Sequence, residues 1–71
     1  MNFSASEKIR TVLIRKKMAI GSLADLLGQS RQNFSNKLSR DNFSISDMIE
    51  IAEALDIKFD FSFVFPDGTE I

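Results

Sequence analysis

Apolar residues recur at helical spacing in four stretches of the chain, and at a different spacing in the last. Ile9, Val12 and Leu13 share one face of a helix. So do Leu23, Ala24 and Leu27, then Phe34 and Leu38, then Met48, Ile51, Ala52 and Leu55. This pattern predicts four helices, over about residues 5–17, 20–27, 31–39 and 45–55. From Lys58 to Phe65 the period drops to two, and Phe59, Phe61, Phe63 and Phe65 fall on one face. That alternation predicts a strand. Pro66-Asp67-Gly68 then predicts a turn, and Thr69-Glu70-Ile71 a short returning strand.

Start and stop signals punctuate the helices. Ser4-Ala5-Ser6-Glu7 is a capping box, in which the hydroxyl and the carboxylate each take a backbone amide near the other. The segment before it, Met1 to Phe3, is a short lead-in. Gly28 can take the positive φ that ends a helix sharply, and Ser30 is a favoured N-cap for the next. A stop two residues before a start predicts a helix-turn-helix. Ala24 is small enough to let the two helices approach closely. Ser39 to Phe43 is a loop of turn formers, and Ser44-Ile45-Ser46-Asp47 starts the fourth helix. Phe43 and Met48 flank that start at the spacing of a hydrophobic staple.

The second helix of the pair is unusual on its outer side. With Phe34 and Leu38 buried, Gln32 and Asn36 point away, Ser39 lies at the edge, Asn33 and Ser35 flank, and Arg31 projects from the first turn. An ordinary solvated helix mixes Glu and Lys, yet there is no acid from Gly28 to Arg40. Side-chain amides can bond adenine through two atoms in the major groove, and arginine can do the same to guanine.

The order Leu-Ala-x-x-Leu-Gly-x-Ser-x-x-x-Phe-Ser, running from Leu23 to Ser35, resembles the helix-turn-helix of the phage Cro and repressor type, the XRE family. The resemblance covers roughly residues 6–56. It implies a four- to five-helix DNA-binding domain, usually a transcriptional regulator, whose second motif helix enters the major groove. The contact positions it implies are Arg31, Gln32 and Asn36, in agreement with the helical wheel. Two positions depart from the family pattern: Ala19 stands where Ser or Thr caps the first motif helix, and Lys37 stands where an apolar residue is usual. Gly21 further weakens the first turn of that helix.

Composition narrows the options. Seventy-one residues make one domain with little surplus stability, and there is neither Cys nor His. Disulfides and thiolate or imidazole metal sites are excluded, so oligomerisation is the remaining way to reinforce so small a core. No apolar run approaches the ~20 residues that span a membrane. The N-terminus lacks the layout of a signal peptide, which predicts a cytoplasmic protein. Carboxylates on the fourth helix (Asp47, Glu50, Glu53) have no histidine, nucleophile elbow or phosphate loop to work with. They are its solvated face; no enzyme, cofactor or metal is predicted.

The net charge of −1 hides a division. Residues 1–40 hold eight basic and two acidic side chains, and residues 41–71 hold one basic and eight acidic. Double-stranded DNA responds to the local field of the basic half. Arg15, Lys16, Lys17, Lys37 and Arg40, with Asn42 in the following loop, are the candidate phosphate contacts. Cations at the end of the first helix also suit its dipole.

These observations predict a mainly α domain: a helix-turn-helix unit over residues 1–56, and a C-terminal strand or hairpin over 57–71 as its dimerisation element. The Phe face of that strand must be covered. One solution is a hairpin laid on the helices, and the other a sheet shared with a second copy. The second is favoured, because a lone two-stranded hairpin is marginal. The expected function is regulation of transcription, by occlusion or recruitment at a promoter. A homodimer would hold a near-palindromic operator, reading bases through Arg31, Gln32, Asn36, Asn33 and Ser35. The rival is a protein-interaction module, such as the antitoxin of a toxin pair, whose Phe tail (Phe59, Phe61, Phe63, Phe65) binds another protein.

Overall fold

Four helices form, in the order and at the places the apolar spacing predicts. In the computed structural model, which describes residues 3–71, they are α1 (Ala5–Lys16), α2 (Ile20–Leu26), α3 (Arg31–Arg40) and α4 (Ile45–Ala54). Of the predicted lead-in, Met1 and Asn2 lie outside the described residues.

The predicted capping box forms, and a second one forms at the start of α4. Ser4 accepts from the Glu7 amide at 3.1 Å while Glu7 accepts from the Ser4 amide, and Ser44 with Asp47 repeats the exchange. Ser30 caps α3 by accepting from the Asn33 amide at 3.1 Å. Ala19 offers α2 no side-chain hydrogen bond, so this seven-residue helix depends on packing for its stability.

All four helices stop the same way, with one residue in the left-handed region. Gly28 does this at φ 70°, and Lys17, Asp41 and Asp56 do it at 55°, 52° and 55°. The next amide reaches back to a carbonyl of the last turn: Met18 to Leu13, Gln29 to Ala24, Asn42 to Lys37 and Ile57 to Ala52, at 2.9–3.2 Å. Those bonds satisfy helix carbonyls that would otherwise be orphaned.

Ile9, Leu13, Leu23, Ala24, Phe34, Leu38, Ile51 and Leu55 form one buried cluster that draws on every helix. Leu23 and Ala24 are wholly covered, as expected where α2 and α3 meet closely. Val12, Leu27, Phe43 and Met48 pack around its margin, with the Phe43 ring edge-on to Phe34 at 6.0 Å. A polar clasp joins the two ends of this core. The buried Ser6 hydroxyl donates to the Leu38 carbonyl at 2.7 Å, and the Ser6 amide donates to the Asp41 carboxylate at 2.8 Å. The start of α1 is thereby tied to the end of α3: Asp41 satisfies the Ser6 amide, and the Ser6 hydroxyl adds a second bond to a Leu38 carbonyl that also accepts from the Asp41 amide at 3.2 Å.

The tail corrects the expectation of a strand. Among the described residues no strand forms over 58–65; there is only an isolated antiparallel bridge between Val64 and Glu70. Phe63 and Ile71 exchange hydrogen bonds at 2.7 and 2.9 Å around the Pro66–Gly68 turn. Residues 58–62 have no neighbouring strand in a single chain, and a ladder cannot form without one. The Phe face is also uncovered. Phe59 is half-buried and stacks on Phe61, while Phe61, Phe63 and Phe65 are exposed, as is every residue from 60 to 71.

Candidate nucleic-acid interface

The outward side of α3 carries the predicted readers. Arg31, Gln32, Asn33 and Asn36 are exposed, and Ser35 is half-buried. Gln32 and Asn36 sit one turn apart, and the Gln32 amide Nε2 donates to Asn36 Oδ1 at 3.2 Å. Each amide steadies the other, so less rotamer freedom is left to lose on contact with a base.

Arg31 packs against the helix before its own. Its aliphatic stem lies across α2 at Gly21, where a Cβ would meet Arg31 Cδ at 3.4 Å and Cγ at 3.8 Å. Those distances are ordinary van der Waals contact, so a small side chain at position 21 would also admit the arginine, and Gly21 costs α2 helix stability without being required by this packing.

A polar concavity of about 370 Å³ opens along the same helix, lined by Gln29, Asn33, Asn36, Lys37, Arg40 and Asn42. It brings three of the predicted phosphate contacts beside two of the predicted base contacts. Gln29 was not singled out by sequence. Its only signal is a polar side chain between the turn glycine and the cap of α3.

The remaining cations are placed differently. Arg15, Lys16 and Lys17 are exposed at the C-terminal end of α1 and line no part of this concavity. Lys37 is half-buried, with its ammonium 3.5 Å from Asp47 Oδ1 and 5.9 Å from the centre of the Phe43 ring. Its charge is partly neutralised within the fold, so it contributes less to an anion outside than Arg40 does. An apolar residue at this position would close over the core. Lys37 does so with its stem and turns its head to Asp47.

The α4 cap makes Asp47 sensitive to acid. Asp47 titrates below the ordinary carboxylate range, chiefly because it accepts from the Ser44 amide; the Lys37 charge helps and partial burial opposes. A depressed folded value gives stability that is complete above the ordinary value and is lost as pH falls through the depressed one. Melting temperature is therefore expected to drop below about pH 4. Asp47→Asn should shrink that drop; an unchanged acid limb in the variant would remove Asp47 as its source.

A four-helix core with a Gly28 turn, a capped second motif helix and an acid-free polar outer face defines a helix-turn-helix DNA-binding domain. The sequence model of the bacteriophage CI repressor helix-turn-helix domain matches residues 14–62, well over half the chain, and the chain belongs to that family. Comparison with curated proteins and with solved structures finds no match. The protein is thus a DNA-binding regulator of transcription, from a family of binding rather than catalytic domains. No helix among the described residues is long and apolar enough to cross a membrane.

Proposed function

We propose that the chain binds a near-palindromic operator as a homodimer, with α3 of each copy in successive major grooves. The observation that carries this reading is the outer face of α3, which is exposed, rich in amides and free of acids within a family that binds DNA. Arg31, Gln32 and Asn36 are the principal base readers, with Asn33 and Ser35 beside them. Arg15, Lys16, Lys17 and Arg40 hold phosphates, with Lys37, Asn42 and Gln29 as weaker contributors; such contacts orient rather than specify. The tail supplies the dimer contact, and the cytoplasm is the compartment in which such a regulator meets its DNA. An exposed Phe tail would equally suit capture of a different protein, as in an antitoxin, and that role does not exclude DNA binding.

Replacing Gln32 or Asn36 by Ala should cost about 1–3 kcal/mol on the cognate site and almost nothing on random duplex. Fluorescence anisotropy with both duplexes separates the cases. Equal losses on the two would mean that these amides meet only the backbone of the DNA.

A further inference from the structure

Two surfaces of this chain are left without a partner, and they complement each other. The first is an apolar groove of about 450 Å³ between α1 and α4, walled by Ile9, Val12, Met48, Ile51 and Phe59. Lys8 also lines it and has no ion-pair partner among the described residues; Lys58 and Asp60 lie 4.0 Å apart at its edge. The second is the tail, where Phe61, Phe63 and Phe65 are 58%, 77% and 48% exposed. Beyond the Lys58–Asp60 pair the tail holds Asp67 and Glu70 and no further cation.

We propose that in the homodimer each tail crosses into the partner's groove and seats its Phe face between the partner's α1 and α4. This rests on the homodimer reading above and names the surface that makes it. Four observations favour a second copy as the occupant. Residues 57–60 line the groove and run straight into the exposed Phe residues, so groove and tail are one continuous surface. Within one chain the tail turns back at Pro66–Gly68 and leaves the Phe residues uncovered. The tail acids Asp67 and Glu70 meet a groove lining whose one charge without an ion-pair partner among the described residues is Lys8. Three rings from each copy, at about 150–250 Å² each when covered, bury on the order of 1,000 Å², the size at which an interface becomes specific. A two-fold exchange fills both grooves and leaves no open end, as a closed dimer requires.

The chain has no cysteine, so single introduced thiols report a chosen pair. Thr11 lines the groove and Ser62 lies between two tail Phe residues; both are exposed, and their replacement by Cys leaves the core intact. Thr11→Cys and Ser62→Cys chains carrying different tags are mixed at micromolar concentration, oxidised gently and separated without reductant. The mixed disulfide, carrying both tags, is expected as the main product. Adding Phe63→Ser to the Ser62→Cys chain should cut its yield about tenfold. Sedimentation of the unaltered chain is run alongside. A dimer mass with only Ser62→Cys self-crosslinks would overturn the groove assignment and leave the homodimer standing. A mixed disulfide indifferent to Phe63→Ser would be a collision product and would also overturn it. A monomer mass throughout would remove both.

Discussion

Phe34→Ala is expected to leave the chain largely unfolded at room temperature. Phe34 is 1% exposed, and with Leu23 it is the largest fully buried side chain. It joins α3 to the rest of the cluster and meets the edge of Phe43. Truncating a buried Phe costs about 3–5 kcal/mol, from lost burial and from the cavity left behind. A core in a chain this short rarely supplies more than ~3–5 kcal/mol in all. No disulfide reserve exists to offset the loss. Far-ultraviolet circular dichroism should show most of the helical signal gone without denaturant. A variant that melted cooperatively near the parent temperature would show that the cluster is not what holds the helices together.

The second large effect is on binding. Arg15, Lys16, Lys17 and Arg40 are exposed in each copy, and Lys37 is partly neutralised by Asp47. If those four each hold one phosphate, a dimer neutralises eight, which predicts a log–log salt slope of about −7. Affinity should then fall roughly 10⁴-fold between about 50 and 200 mM salt. Lys16→Ala with Lys17→Ala removes half of the contacts and should bring the slope to about −4 without altering sequence preference. A slope unchanged in that double variant would place the end of α1 away from the DNA. Salt-independent binding would show that the charge division between the halves of the chain has no part in recognition.

What could be read from the sequence follows from how local each cause is. Capping boxes need two residues three apart, so Ser4 with Glu7 and Ser44 with Asp47 placed two helix starts correctly. Gly28 was a legible stop because only glycine takes a positive φ freely. Lys17, Asp41 and Asp56 take the same conformation unannounced, since neither Lys nor Asp marks a left-handed residue reliably. The clasp of Ser6 with Leu38 and Asp41 joins positions more than thirty residues apart, and no periodicity encodes it. Period two in the tail was legible, but a strand is a property of a pair, and a single chain offers residues 58–62 no neighbour.

The interface divides along the same line. The outward side of α3 could be drawn from a helical wheel, and Arg31, Gln32, Asn33 and Asn36 are exposed there. What the wheel could not show is contact between elements. Lys37 turns to Asp47 on α4, and the Arg31 stem lies over Gly21 on α2. Gln29 enters the concavity of α3 from the turn before it.

The central claim, sequence-specific binding of DNA by a symmetric pair of these chains, is tested most directly by selecting from random duplexes with the purified intact protein. Repeated rounds should enrich one near-palindromic site, with half-site centres separated by about one helical turn, roughly 34 Å. No enriched sequence, with no duplex retained even at low salt, would contradict it.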